Sequence, residues 1–176
     1  KVAKSRAQKD GNVTSTTWYS YDALGRTEWV VQKMPGLGAK TLHYTYDAKG
    51  NLFKVELQKG VAGEYFAHRY FYDADNRLAK VETSENGTGW NEQAEYDYYL
   101  HGPLKRVELA DNLQGIDYIY TINGWLKAIN HPDLDYAGSE LNDPGGDGYA
   151  GKNQGFAKDV FGMVLDYHEG DYERAS

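Results

Sequence analysis

The sequence predicts an all-β chain built from hairpins stacked side by side into a curved antiparallel ribbon. Three observations carry this. Tyr-x-Tyr occurs five times at near-constant spacing, each copy is followed by turn residues at fixed offsets, and no useful window from Thr16 to His131 has helical periodicity. Ten of the 16 tyrosines serve one pair of repeat positions: Tyr19 and Tyr21, Tyr44 and Tyr46, Tyr70 and Tyr72, Tyr96 and Tyr98, Tyr118 and Tyr120. The second tyrosines lie 25, 26, 26 and 22 residues apart.

Each column of the repeat has a physical reading. Tyrosines at alternate positions place two rings on one face of a strand. The next position is Asp in three copies (Asp22, Asp47, Asp73) and Tyr99 or Thr121 in the others. Asp suits the first position of a type I turn, where its carboxylate accepts from nearby backbone amides. Gly25, Gly50, Asn76, Gly102 and Gly124 follow, fitting the left-handed residue that closes a short hairpin loop. Leu52, Leu78, Leu104 and Leu126 share the next column with Thr27. Val30, Val55, Val81, Val107 and Ile129 then stand on the returning strand.

The chain is thereby divided into a lead-in segment from a preceding repeat (1–17) and five repeats (18–131), with turns near 22–25, 47–50, 73–76, 99–102 and 121–124. A Gly/Asp-rich loop (132–158) follows, then a further strand leading onward (159–176). The alternation there sets Phe161, Met163, Leu165 and Tyr167 toward the core. Connections between repeats are longer around 34–38, 59–63 and 84–89, and tight at 112–115.

Composition sets outer bounds. Val, Leu, Ile and Phe total 33 of 176 residues, about 19%, near the level of disordered chains, but 16 Tyr and 4 Trp supply burial area instead. The net charge of −7 argues against a nucleic-acid footprint. Without cysteine there are no disulfides, zinc-thiolate sites or thiol nucleophiles. Nowhere do 18 consecutive apolar residues occur, so no membrane span is expected. Lys1 is not an initiator Met, and the expectation is a piece of a longer protein.

The units Tyr-Asp-Ala-Leu-Gly-Arg (21–26), Tyr-Asp-Ala-Lys-Gly-Asn-Leu (46–52) and Tyr-Asp-Ala-Asp-Asn-Arg-Leu (72–78) resemble the YD repeat. That repeat marks the RHS family of bacterial polymorphic toxins and recurs in toxin-complex proteins and teneurins. The fourth and fifth copies lack the Asp and keep register through Gly, Leu and the β-branched residue. The ending Tyr167-His168-Glu169-Gly170-Asp171-Tyr172 is similar to the segment following the repeats in RHS proteins of Bacteroidetes-type bacteria.

The resemblance implies a β-ribbon wound into a hollow shell around a C-terminal toxin or other passenger. It implies export, to the medium or the cell surface, by secretion machinery. It also implies partners in the neighbouring repeats and the passenger of the same parent chain, which would continue well beyond Ser176. Cut from such an array, residues 1–176 are expected to be marginal or aggregation-prone. The autoproteolytic aspartate site of many members has no match here. Asp143-Pro144-Gly145 is only superficially like it.

Asp22, Asp47 and Asp73 as glycosidase carboxylates give way to turn caps, because each recurs at a turn. Asp133, Asp135, Asp143 and Asp147 match no calcium-loop spacing and read as a solvated acidic loop. A hydrolase built on Asp133 to Asp147 is the weakest reading. The histidines (His43, His68, His101, His131, His168) have no ligand spacing, and no nucleophile elbow or phosphate loop is present. No catalytic residue, metal set or cofactor is assigned, and ligand-binding residues stay unknown. The tyrosine rings are expected to stack across neighbouring strands. The runner-up reading makes them an outward platform for cell-surface glycans.

Overall fold

The computed structural model describes residues 1–130, 145–148 and 153–167. They form β-strands and turns, with no helix among the described residues. The acidic residues Asp133, Asp135 and Asp143, His131, His168 and the 168–172 ending lie outside the described residues.

The chain divides into two compact units, Lys1–Asn91 and Glu92–Ser176. The first holds β1 (Val2–Lys9), β2 (Asn12–Tyr21), β3 (Thr27–Lys33), β4 (Lys40–Tyr46), β5 (Leu52–Leu57), β6 (Phe66–Tyr72) and β7 (Leu78–Ser84). Each pairs antiparallel with its chain neighbour, giving a meander. The second holds β8 (Asn91–Tyr98, starting at the unit boundary), β9 (Leu104–Leu109), β10 (Gln114–Tyr120), β11 (Leu126–Ile129) and β12 (Met163–Val164), paired the same way.

Local chemistry explains the meander. In all five hairpins the residue after the second tyrosine donates its N–H to the carbonyl four residues on (Asp22 to Arg26, Asp47 to Asn51, Asp73 to Arg77, Tyr99 to Pro103, Thr121 to Trp125) and accepts from the left-handed residue between. That residue is Gly in four copies and Asn76, at φ 67°, in the third. Asn tolerates the left-handed region better than other side chains, so the substitution keeps the turn. The extra residue appears as a register shift at Tyr21, Tyr46, Tyr72, Tyr98 and Tyr120.

One feature adds to the sequence expectation and one departs from it. Residues before Thr16 form most of a full hairpin, β1 and the start of β2, turned at Asp10-Gly11 with φ of 52° and 78°. An Asp-Gly pair is a strong hairpin signal. The alternating stretch after 159 yields only a two-residue strand, with Phe161 and Tyr167 exposed. Its partner β11 ends at left-handed Asn130, whose side-chain amide donates to the Phe161 carbonyl at 3.0 Å. Pairing cannot extend past that point.

Little apolar surface is deeply buried. Among the described residues the buried hydrophobic side chains are Ala67, Ala94, Val107 and Ala128, against twelve buried polar or charged residues. Cross-strand pairs and polar networks therefore carry much of the cohesion, and each hairpin depends on its neighbours.

Candidate functional site

The repeat columns become cross-strand partners. The first tyrosine of each copy lies opposite the β-branched residue of the returning strand: Tyr19 and Val30, Tyr44 and Val55, Tyr70 and Val81, Tyr96 and Val107, Tyr118 and Ile129. The second lies opposite the Leu column: Tyr21 and Thr27, Tyr46 and Leu52, Tyr72 and Leu78, Tyr98 and Leu104, Tyr120 and Leu126. Period two puts both tyrosines of a copy on one face, and the extra residue of the bulge brings their two aliphatic partners, three residues apart, to that same side.

The rungs are joined through hydroxyls more than through stacked rings. Tyr46 donates to the Thr27 carbonyl at 2.9 Å, and Tyr72 to that of Leu52 at 3.0 Å. Each phenol thus reaches the Leu-column residue of the preceding copy. Tyr167 makes the same bond to Leu126 at 2.8 Å, so it acts as a sixth rung although no Tyr-x-Tyr announces it. Tyr99 reaches the Tyr118 carbonyl at 3.0 Å and meets Tyr120 edge-on. Burial, then the neighbouring phenols Tyr46 and Tyr19, raises the Tyr44 hydroxyl above its usual range. Tyr70 is raised by burial and then by Tyr44. The phenols therefore add to the ring contacts a bond between copies, since a phenol spent on a carbonyl satisfies two polar groups.

The turn carboxylates cap their own loops. Asp73 accepts from the Arg77 backbone N–H at 2.8 Å and from its Nε at 2.7 Å, and Asp22 does the same with Arg26. Asp47 accepts from the backbone and side chain of Asn51. At Asp73 the Arg77 backbone bond leads in holding the carboxyl below its ordinary range. At Asp22 and Asp47 desolvation pushes upward, but hydrogen bonds from Arg26 and Asn51 prevail and lower it. Adjacent turns are tied by the Asn51–Asn76 side-chain pair and by Arg26 lying 4.4 Å above the Tyr46 ring.

The opposite face carries a column that the tyrosine pattern conceals. Lys54-Val55-Glu56, Lys80-Val81-Glu82 and Arg106-Val107-Glu108 repeat at the same offset. Each Val faces a tyrosine, while the flanking cation and carboxylate pair on the other side, at 3.2, 3.3 and 2.8 Å. Glu56 also forms an ion pair with Lys59 and accepts from Tyr65, and Glu82 accepts from Arg69, whose guanidinium lies 4.2 Å from the Trp90 ring. Desolvation raises both carboxyls, but these cations hold them below the usual range overall. Such pairs add little net stability, because desolvation offsets much of the attraction.

In the second unit this column anchors a loop. Arg106, 5% exposed, donates to Glu108, Asp117 and Asp147 and lies 4.9 Å from the Phe156 ring. The Arg106 to Asp147 bond is 2.6 Å and Asp147 is fully buried. This corrects the solvated-loop reading at Asp147, whose carboxylate clamps the Gly145–Gly148 segment onto the strands. Gly115 and Gly145 make room: a Cβ on either would collide with the Arg106 guanidinium and an aspartate. Gln114 to Asp159 and Asn153 to the Gly145 carbonyl complete the clamp. Sequence reasoning had no route to this contact, which joins residues 41 apart.

No group of three or more His, Asp or Glu able to hold a metal ion occurs among the described residues. His43, His68 and His101 sit on β4, on β6 and at a turn. No helix of the described residues is long and apolar enough to cross a membrane.

The likeness to known proteins follows the repeats. The family model for the teneurin YD-shell matches residues 9–99, just over half the chain. Among solved structures, a crystal structure of TcdB2-TccC3-Cdc42 is similar at TM-score 0.54 and 15% identity, covering 72% of this chain and 7% of that one. A structure of the Photorhabdus luminescens Tc holotoxin pore is similar at TM-score 0.54 and 13% identity, covering 76% and 7%. The chain thus spans about 7% of the length of these matched chains. No curated protein matches it. The strand–turn–strand unit with its tyrosine rungs is therefore a YD repeat, and the chain belongs to the teneurin YD-shell family.

Proposed function

We propose that this chain is a wall segment of a YD-repeat cocoon that encloses and protects a C-terminal toxin or other passenger of the same parent chain until delivery. The carrying observation is the rung bond recurring between successive copies (Tyr46 to Thr27, Tyr72 to Leu52, Tyr167 to Leu126), which can propagate a ribbon without limit of length. In this reading no residue is catalytic, and the protein works outside the cytoplasm, secreted or at the cell surface. Secretion machinery handles the parent.

The register of β1 favours a preceding repeat. Ser5 opposes Thr17 as Val55 opposes His68, two residues before the first tyrosine in each case. On this register β1 is the returning strand of an earlier hairpin. The five repeats over 18–131, their tyrosine, Asp and Gly or Asn columns, and the loop over 132–158 are read as structural positions of the wall. The second reading is a cell-surface array that binds glycans. The engaged phenols of Tyr46, Tyr72 and Tyr167 argue against the ladder as its platform.

Limited proteolysis of the full-length parent, with fragments identified by mass spectrometry, tests the cocoon. The expected result is a resistant C-terminal passenger alongside intact repeats. Digestion of everything after Ser176 while the repeats survive would overturn it.

A further inference from the structure

β1 carries the opposite-face column with one charge reversed. Its register sets Ser5 opposite Thr17, as Val55 is opposite His68 and Val107 opposite Ile116. Lys4-Ser5-Arg6 is therefore the counterpart of Lys54-Val55-Glu56 and Arg106-Val107-Glu108, with Arg6 standing where those copies carry a carboxylate. Lys4 and Arg6 are exposed and share one face. Neither pairs with a carboxylate among the described residues. Lys4 lies 5.5 Å from the Trp18 ring, and β2 alongside carries no acidic residue.

The counterparts show what this place becomes once strands lie on both sides. Glu56 and Arg106 are 4% and 5% exposed there, and both sit in ion pairs. Under a covering strand, Lys4 and Arg6 would lose hydration side by side with no charge to compensate them. A second copy does not supply that charge. β1 holds Lys4, Arg6 and Lys9 and no acid, so β1 against β1 sets cations against cations.

Hairpin length fixes where a compensating carboxylate would stand. In all five hairpins the first tyrosine lies eleven residues before its β-branched partner. Lys54 is thereby opposite Thr45, nine residues earlier, and Glu56 opposite His43, thirteen earlier. The fourth copy places an acid at the first of these positions, Asp97 opposite Arg106. We propose that the β1 edge is covered by the outgoing strand of a preceding hairpin of the parent chain, which carries Asp or Glu nine residues before Lys4, thirteen before Arg6, or both. This rests on the reading of β1 as a returning strand and adds the charge its neighbour brings.

Carbodiimide coupling of the full-length protein, with linked peptides identified by mass spectrometry, tests this together with Arg6→Glu read by hydrogen exchange. The expected result is a zero-length link from Lys4 to an acid at one of the two positions, which are its direct and diagonal cross-strand neighbours. Exchange over Val2–Tyr21 should be about fivefold faster in Arg6→Glu, because the new carboxylate meets the neighbour's. Unchanged or slower exchange overturns the proposal, since the substitution would then only rebuild the in-strand pair of the other copies. A preceding hairpin with neutral residues at both positions overturns it while the returning-strand reading stands. An upstream sequence without the tyrosine and turn columns overturns both. The protease test reads the cocoon separately.

Discussion

Replacing Arg106 by Leu tests whether the clamp in the second unit holds its loop through a buried charge network. The guanidinium meets three carboxylates, and they are not equivalent. The Glu108 side chain is 30% exposed, so its contact counts for little once solvent screens it. Asp117 is 4% exposed and Asp147 fully buried, so Leu would take the Arg106 cation away from two buried carboxylates. Removing one partner of a buried pair costs about 3–5 kcal/mol. At roughly 1.4 kcal/mol per decade this is about two to three and a half decades in local opening. Hydrogen exchange read by mass spectrometry on the full-length protein should show that acceleration in peptides over Leu104–Tyr120, while peptides over Lys40–Tyr72 keep their rates. Arg106→Lys should fall between, since one ammonium cannot reproduce a fork that meets three carboxylates. A change below tenfold in Arg106→Leu would refute the assignment of the clamp to this network.

Further outcomes follow from the same geometry. Tyr72→Phe leaves the Leu52 carbonyl without its phenol donor and should cost about 0.5–1.5 kcal/mol in local exchange, with Tyr46→Phe similar; no effect in either removes the rung bond as a cohesive element. Gly25 has open space around its Cβ position and φ +83°, so Gly25→Asn should be tolerated better than Gly25→Val, which meets about 1–2 kcal/mol of left-handed strain; equal melting temperatures would contradict this. Asp22, Asp47, Asp73, Glu56 and Glu82 have depressed folded-state values, so the stability they contribute is present above the ordinary carboxylate range and lost as pH falls through the folded values. Thermal stability should thus hold from neutrality to about pH 4.5 and decline below it, and stability rising on acidification would reverse that sign. Residues 1–176 produced alone should be marginal or aggregate, with all of β1 exposed along an edge; a monodisperse, cooperative melt would contradict that.

The repeat grammar was legible because it is local. Tyr, Asp, Gly, Leu and Val at fixed offsets are enough to define a hairpin, and the Tyr19–Val30 and Tyr21–Thr27 pairings follow once the turn length is known. The Lys-Val-Glu column was equally present in the sequence, but it is visible only when the residues flanking each Val are read as the other face. Asp10-Gly11 announces β1 by the same turn chemistry, but no Tyr-x-Tyr precedes it to mark it as part of the repeat. What could not be read was long-range. Asp147 resembles any acidic residue in a Gly-rich loop until Arg106 is brought to it, and Gly115 gives no sign that its missing Cβ makes that contact possible. Tyr167 shows both sides. Alternation placed it inward, yet it is 43% exposed while its hydroxyl still takes the rung bond to Leu126.

Electron cryomicroscopy of the full-length parent tests the central claim most directly. The account predicts a closed hollow shell in which residues 18–131 form part of the wall, with one ribbon face turned to an interior that holds passenger density. An open ribbon with both faces in solvent and nothing enclosed would contradict it.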